Sequence, residues 1–314
     1  MNELALAVFA SETGSHLLRA PDSARWRAHL GTFDPAAYER RLAEREFRFT
    51  PDLPLLLRSI HDPPVGVFMR GAAALELLAR PAVAIVGARA CSGYGAAVAR
   101  SVARELAAAG LVVVSGLARG VDGEAHRGAL DAGGATVAVL GCGIDRDYPA
   151  AHADLARRIA GSGLIVSEYA PGVEPAPWRF PARNRIVAGL CAATVVVEAR
   201  ERSGALITAD LALEEGREVF AVPGEITSAL STGTNGLLRL GATPLTSAAD
   251  VLESFGIEPP VSDTGGPLLE LLPATADELV RATGRAAAEI ARELVELELA
   301  GRVVAHDGVY RPGS

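Results

Sequence analysis

Short runs of consecutive apolar residues alternate, over residues 80–256, with longer Ala- and Leu-rich segments of helical period. Strands that are apolar throughout, with helices between them, indicate a parallel sheet covered on both faces. The pattern therefore predicts a doubly wound, Rossmann-like α/β fold. The predicted strands are residues 83–86, 111–114, 136–140, 164–166, 194–197 and 218–222. The predicted helices are residues 94–109, 121–132, 152–160, 183–190 and 205–215.

The segments on either side of this pattern differ from it. Residues 1–62 are polar and arginine-rich with apolar positions at helical spacing, which predicts a small helical domain before the Rossmann-like domain of residues 63–256. Residues 257–266 are rich in Pro and Gly and are predicted to be a linker. Residues 267–314 show helical segments followed by a hairpin pattern, and this order predicts a winged helix.

The charge of the C-terminal module argues against DNA reading. Residues 261–314 carry nine acidic residues and five arginines. A winged helix that reads DNA normally has the opposite balance, because it must neutralise phosphates. We therefore expect this module to contact protein or to have a structural role.

The composition of the whole chain limits the kind of site it can build. The formal net charge is −8, a mild argument against nucleic acid, but binding depends on local patches. All 30 basic residues are arginine, so any anion site must use guanidinium groups and backbone amides. The three cysteines are isolated, which predicts neither a disulfide framework nor a zinc site. With no signal peptide or membrane span in the pattern, we expect a cytoplasmic protein.

The end of the first predicted strand is the first candidate anion site. Gly87 closes the strand, Arg89 follows, and Gly93 opens the next helix, so unpaired N–H groups and a helix dipole face the same point. The spacing is not that of a dinucleotide fingerprint, and Ser115 and Gly116 stand where an acid would hold a ribose. We predict a phosphate cradle without NAD. Ordinary turn geometry is the alternative explanation for the two glycines.

The loop after the second strand, SGLARGVDGEAH, supplies a further arginine and a polar pair. Arg119 belongs to the predicted binding set. Asp122 and His126 are four residues apart and share a helix face, which fits a metal pair, an acid/base pair or a contact that orients the loop. The last interpretation is favoured because no third ligand is near in sequence.

The segment WRFPARNRIVAGL, residues 178–190, has the strongest concentration of cations. Arg179, Arg183 and Arg185 occur within seven residues without an intervening acid. If Pro181 starts the helix, these arginines and Asn184 lie in its first turn, where cations oppose the dipole. A bound anion would offset that cost. Pairing with surface acids is the alternative.

Aromatic and small residues complete the predicted interface. Trp178 and Phe180 interleave with the arginines, and arginine plus aromatic is the composition that grips single-stranded nucleic acid. Ser203 and Gly204 precede another helix and form either an anion site or a plain N-cap.

Catalytic machinery is missing from the same positions. The sequence has no Gly-x-Ser-x-Gly, no Walker lysine, no nucleophile–base pair and no metal set, so we expect no cofactor and binding without turnover. The rival hypothesis is a ribohydrolase-like enzyme acting on nucleotides, with Glu168 or Glu198 as the candidate acid.

Taken in order over residues 83–242, eight motifs closely resemble the DprA/Smf (DNA-processing A) family. They are GARACSGYG, SGLARGVDGEAH, VAVLGCGIDRDYP, SEYAPG, FPARNRIVAGL, VVVEARERSGALITA, REVFAVPGE and STGTNGLLRLGA. The chain departs from the family pattern at Ala88, His152, Ala170 and Ala205, and none of these departures removes an arginine.

The resemblance implies an extended Rossmann fold with a sterile-alpha-motif-like domain before it and a winged helix after it. It also implies single-stranded DNA binding, homodimerisation through the Rossmann-like domain, and loading of RecA recombinase onto DNA during natural transformation. The family's DNA-contacting arginine falls on Arg89, and its Phe-Pro-x-Arg-Asn-Arg motif falls on Phe180, Arg183, Asn184 and Arg185.

Overall fold

The chain folds into two units, Met1–Ile257 and Glu258–Ser314. The computed structural model describes residues 2–13, 24–258, 267–299, 302–306 and 308–312. Within these ranges, no helix combines the length and the apolar composition needed to cross a bilayer.

The first unit is built on a nine-stranded sheet, counted over the described residues, whose strands run from Arg48 to Pro244. In chain order they are β1 (Arg48–Thr50), β2 (Val67–Arg70), β3 (Ala82–Val86), β4 (Val112–Ser115), β5 (Thr136–Leu140), β6 (Leu164–Ser167), β7 (Ala193–Val196), β8 (Glu218–Ala221) and β9 (Thr243–Pro244). Their order across the sheet is β1-β2-β6-β5-β4-β3-β7-β8-β9. Strands β3 to β9 pair in parallel, and β1 and β2 add antiparallel pairs at one edge. The predicted parallel α/β sheet is confirmed.

The helices of this unit include those that cover both faces of the sheet. They are α1 (Glu3–Thr13), α2 (Ala24–Thr32), α3 (Pro35–Ala43), α4 (Leu55–Arg58), α5 (Gly93–Ala108), α6 (Val121–Asp131), α7 (Ala153–Ser162), α8 (Arg179–Gly189), α9 (Gly204–Glu214), α10 (Thr232–Arg239) and α11 (Ala248–Ser254). Alternate residues of β3 show the two layers. Val83 and Ile85 pack in the same core cluster as α5 and α6, whereas Ala84 and Val86 pack with α8 and α9. This burial on both faces explains why the strands are apolar throughout.

The N-terminal residues join the sheet and its core. Strand β1 pairs with β2, with Phe49 opposite Phe68, so part of residues 1–62 extends the large sheet. Leu4 and Val8 of α1 belong to the same core cluster as Phe68. The predicted separate helical domain over residues 1–62 is therefore corrected: these residues fall in the same compact unit as the Rossmann-like domain, and apolar side chains of their described part pack into its core.

The second unit matches the predicted order of helices and a hairpin. It contains α12 (Pro267–Glu270), β10 (Ala274–Thr275), α13 (Ala276–Thr283), α14 (Ala287–Leu299), β11 (Val303–His306) and β12 (Val309–Pro312). Thr275 and Glu278 form a capping box that starts α13. Residues 259–266, most of the predicted linker, lie outside the described residues. A protein-contacting role for this module stays a prediction.

Candidate nucleic-acid interface

The order in which the chain adds strands to the sheet reverses at β3, which has β4 on one side and β7 on the other. In open α/β sheets, ligands bind outside the carboxyl ends of the strands at such a switch point. A cavity of about 220 Å³ lies there, and we call it the switch-point cavity. Its lining includes Gly87, Arg89, Gly116, Asp122, Phe180, Arg183, Asn184, Ser203, Gly204 and Thr208.

A second cavity of about 470 Å³, the side cavity, adjoins the first. Arg89 and Phe180 line both cavities, and Arg119 and Tyr148 line only the side cavity. The Arg89 guanidinium carbon lies 5.4 Å from the centroid of the Phe180 ring. Tyr148 stacks on the same ring with centroids 5.3 Å apart and planes inclined by 26°. A cation and two aromatic rings therefore lie together at the boundary between the cavities.

The two arginines of the loops after β3 and β4 are available to a ligand. Arg89 and Arg119 are exposed, and neither forms an ion pair with a carboxylate of the described residues. Both line the side cavity. Their predicted role as phosphate contacts stays a prediction that this geometry permits.

Arg183 occupies a different environment from the one predicted. Helix α8 begins at Arg179, with Pro181 inside its first turn, so Arg183 lies in the second turn. Its side chain is buried and donates to the carbonyl oxygens of Gly116 (2.8 Å) and Val139. Burial lowers the pKa of the Arg183 guanidinium, although nearby Asp122 opposes the shift. The buried guanidinium thus lies in the lining of both cavities, and the predicted position in the first turn of the helix is wrong.

Arg185 lies away from both cavities and is committed to two carboxylates. It contacts Glu168 at 2.5 Å and Asp62 at 3.1 Å, and its side chain is 10% exposed. Glu168 and Asp62 raise its pKa, although burial opposes them as the largest single effect. The predicted anion site of Arg183 and Arg185 at the helix start is therefore corrected, because the first guanidinium bonds to buried carbonyls and the second to carboxylates. For Arg185, the alternative that the sequence left open, pairing with acids, is what the structure shows.

The aromatic residue before α8 also lies outside the cavities. Trp178 is 47% exposed and lines neither of them. The guanidinium carbon of Arg179 lies 4.9 Å from the Trp178 ring centroid and 5.1 Å from that of Tyr169. Arg179 is thereby held between two rings, so only Phe180 of the two predicted stacking residues is at the candidate site.

Two helix N-termini were predicted to hold anions, and they differ. At α9, Ser203 caps the helix by accepting from the Ala205 N–H at 3.3 Å, and both Ser203 and Gly204 line the switch-point cavity. Asn184 donates to the Gly204 carbonyl at 3.1 Å and fixes this turn. Ser203 is therefore an N-cap that also faces the cavity.

The start of α5 already holds a carboxylate of the protein. Ser92 is the N-cap, and its N–H donates to Glu198 at 2.8 Å. Gly93 lines neither cavity, whereas Gly87 lines the first. A Cβ at Gly87 would lie 2.7 Å from a methyl group of Val121, so close packing against α6 requires the glycine. Of the predicted phosphate cradle, only the turn at Gly87 therefore faces a cavity, and Gly93 does not contribute to it.

Asp122 orients the loop that carries Arg119. Its buried carboxylate accepts from the N–H groups of Gly116 (3.1 Å) and Ala118 (3.2 Å). Between them, Leu117 has φ of 58°, a left-handed conformation that costs energy in a non-glycine residue and that these bonds stabilise. The interpretation of Asp122 as a loop-orienting residue is confirmed. Within the described ranges, no group of three or more His, Cys, Asp or Glu is arranged to hold a metal.

His126 is buried and bonded to the core instead of to Asp122. The Thr136 hydroxyl donates to the Val113 carbonyl at 2.7 Å, so it accepts from His126 Nδ1, 2.7 Å away. Nδ1 therefore carries a proton, and the buried Nε2 has no hydrogen-bond partner among the described residues, so a second proton and its charge would be left uncompensated. Burial, aided by His152, Arg183 and Arg127, lowers its pKa from 6.5 to about 3.

This shift makes stability depend on pH. Below pH 6.5 the unfolded chain takes up a proton at His126 that the folded chain refuses until about pH 3, so stability is present above 6.5 and is lost as the pH falls. The loss from pH 7 to pH 5 is about 2 kcal/mol. Urea titrations at both pH values should show His126→Gln losing correspondingly less stability than wild type. The exposed His61→Gln is the control, and an unchanged pH dependence in His126→Gln would contradict the assignment.

Several residues at the site escaped the sequence reasoning. The sequence pattern gave Tyr148 no predicted role, although an aromatic residue before a proline, on a loop that follows a strand, is a usable signal. Thr208 lines the switch-point cavity from the first turns of α9. Arg200 and Arg202 are exposed on the loop between β7 and α9, at the same edge of the sheet.

Comparison with known proteins points to one family. The family model of DNA recombination-mediator protein A matches residues 46–256, and that of the DprA winged helix domain matches residues 257–309. The DNA processing protein DprA of Streptococcus pneumoniae is 45% identical over 239 residues, 72% of this chain and 84% of the relative. Protein Smf of Escherichia coli is 39% identical over 278 residues, 82% of this chain and 74% of the relative.

Two solved structures show the same fold. The X-ray structure of S. pneumoniae DprA superposes with a TM-score of 0.68 at 44% identity, covering 75% of this chain and 82% of that one. DNA processing protein A of Helicobacter pylori, described for its unique single-stranded DNA binding mode, has a TM-score of 0.62 at 32% identity, covering 67% and 95%.

Fold and site together define a Rossmann-like α/β protein with an arginine-bearing switch-point site and an appended winged helix. The family-model match extends over more than half of the chain, and relatives of 39–45% identity cover most of it. The chain belongs to the DNA recombination-mediator protein A family, also named DprA/Smf.

Proposed function

We propose that this protein binds single-stranded DNA at the two cavities on the carboxyl edge of its sheet. The observation that carries the proposal is Arg89, an exposed guanidinium stacked on Phe180 at the boundary between the cavities. Guanidinium groups contact phosphates, and aromatic rings stack on unpaired bases at roughly 1–3 kcal/mol per base. Arg119 and Tyr148 extend this composition along the side cavity.

The cavities favour a single strand over a duplex for a geometric reason. A base reaches the Phe180 and Tyr148 rings only when it is unstacked and unpaired, as in single-stranded nucleic acid. A rigid duplex presents phosphates but keeps its base faces covered. The same loops lack an acid positioned for a ribose and the glycine spacing of a dinucleotide site.

The test measures, by fluorescence anisotropy at several salt concentrations, the affinity of the protein for a labelled oligothymidine and for a duplex of equal length. The single strand should bind more tightly. Its log affinity should fall with log salt with a slope of about −0.7 per phosphate contact. Equal affinity for duplex, or no retention at low salt, would reject the proposal.

We further propose that the protein binds without turnover. The rival enzyme hypothesis needs Glu168 or Glu198 as an acid facing the cavity. Glu168 is paired with Arg185, Glu198 accepts from Ser92, and neither lines either cavity. Nucleoside monophosphates incubated with the protein should stay intact on chromatography, and release of free base would support the rival.

Family membership supports the finer proposals of RecA loading in natural transformation, cytoplasmic action and homodimerisation through the Rossmann-like domain. Sedimentation should give twice the chain mass. The protein should also accelerate ATP hydrolysis by RecA on single-stranded DNA. A monomer, or no acceleration, would reject the respective proposal.

A further inference from the structure

Glu198, two residues after β7, contacts both ends of the segment that carries Arg89. It is 5% exposed. One carboxylate oxygen accepts from the Ser92 N–H at 2.8 Å, and the other accepts from the Ser92 hydroxyl at 2.5 Å. The Glu198 carbonyl oxygen accepts from the Ala88 N–H at 2.7 Å. Residues 88 and 92 are thus fixed to one residue, with Arg89 between them.

The surrounding structure leaves room for this carboxylate. A Cβ at Gly95 would lie 2.4 Å from the carboxyl carbon of Glu198, so the glycine admits the acid to the start of α5. The Ser92 hydroxyl also accepts from the Gly95 N–H at 3.0 Å. The positive end of the helix dipole favours a carboxylate at this position. The acid is therefore a fixed part of the loop, and the start of α5 is closed to an external phosphate.

We propose that Glu198 is a positioning residue for DNA binding: it holds the loop of residues 88–92 so that Arg89 stays between the two cavities. The inference rests on the proposed function. It assigns a positive contribution to a negatively charged side chain beside a site for a polyanion.

Electrostatic repulsion alone and a positioning role predict opposite changes in DNA affinity when the negative charge of Glu198 is removed. Removing an acid near the site reduces repulsion of phosphates and should tighten binding. Releasing the Arg89 loop should instead weaken binding, because the guanidinium must then be ordered when DNA binds. The sign of the change in affinity therefore separates the two.

The experiment is a double-mutant cycle in the full chain, with oligothymidine binding measured at low salt, where the weaker variants still bind. Glu198→Gln should weaken binding about tenfold when Arg89 is present. In the Arg89→Ala background, Glu198→Gln should cause no loss, because no guanidinium remains to be positioned. Glu201→Gln, an exposed acid in the same β7–α9 loop, is the matched control and should bind at least as tightly as wild type.

Ser92→Ala gives a second measurement that keeps the Ser92 N–H bond and removes only the hydroxyl. It should weaken binding less than Glu198→Gln, with the same dependence on Arg89. Unchanged or tighter binding by both variants overturns the inference, and so does an equal loss in both Arg89 backgrounds. If the wild-type chain fails to retain oligothymidine, the proposed function itself falls and this inference with it, a result visible before any variant is made.

Discussion

Arg89→Ala should weaken binding of oligothymidine by roughly 10- to 100-fold, since a hydrogen bond to a charged group contributes about 1.5–3 kcal/mol. The side chain is exposed, forms no ion pair among the described residues and lies over the Phe180 ring, so its removal affects the ligand more than the fold. Losing one phosphate contact should also reduce the salt slope by about 0.7. The measurement is anisotropy at several salt concentrations, with the melting temperature recorded in parallel.

Arg104→Ala provides the matched control for charge. Arg104 is an exposed arginine on α5 and lines neither cavity. Its loss removes one positive charge from the same unit and should leave the affinity and the salt slope close to wild type. If Arg104→Ala and Arg89→Ala weaken binding equally, net charge and not the cavities governs binding, and the assigned site is wrong.

The fold was predictable where the burial of an element produces a recognisable pattern of apolar residues in the sequence. The predicted bounds of strands β3 to β8 agree with the observed ones to within one residue, because buried parallel strands need unbroken apolar runs. Strand β1 was not predicted, because three residues at a sheet edge, from exposed Arg48 to buried Thr50, carry no periodicity. Its pairing with β2 depends on tertiary contacts, which also explains why the N-terminal boundary was misplaced.

The candidate site was predictable where a residue's position depends on strand ends. Gly87, Arg89, Ser203 and Gly204 follow β3 or β7, so topology alone brings them to one edge. Residues within α8 behave differently, since a helix turns its side chains through 100° per residue and a shift of its start changes which way each one faces.

The segment of α8 shows this effect directly. The proline at position 181 suggested that the helix starts there, whereas the observed start at Arg179 still tolerates a proline, because N–H groups in the first turn have no intrahelical acceptor. Arg183 then points into the protein and Arg185 toward Glu168. The three arginines that are close in sequence thus have three different environments: Arg179 lies against two aromatic rings, Arg183 is buried and Arg185 is paired with a carboxylate. The sequence contains no signal for the Gly116 and Val139 carbonyls that accept from Arg183.

Arg183→Met should destabilise the fold by about 3–5 kcal/mol, the range for breaking a buried charge pair or network. Its side chain is 4% exposed and joins the ends of β4 and β5 through the Gly116 and Val139 carbonyls. Methionine keeps most of the length but donates nothing, so both carbonyls lose their guanidinium donor. Asp122 also loses the positive charge that favours its ionised form, while burial already raises the pKa of that carboxyl. The melting temperature should fall by roughly 10 °C.

Arg119→Ala should show the reverse combination, because its guanidinium is exposed at the side cavity and bears no structural bond among the described residues. Its melting temperature should stay within about 2 °C of wild type while the affinity for oligothymidine falls. Scanning calorimetry measures the melting temperature of the two variants and anisotropy measures their DNA affinity. Together they distinguish a residue that stabilises the fold from one that contacts the ligand. If Arg183→Met melts like wild type and loses only DNA binding, Arg183 is a phosphate contact after all. The buried hydrogen bonds to Gly116 and Val139 would then contribute little to folding, contrary to the energetic cost of leaving such carbonyls unpaired.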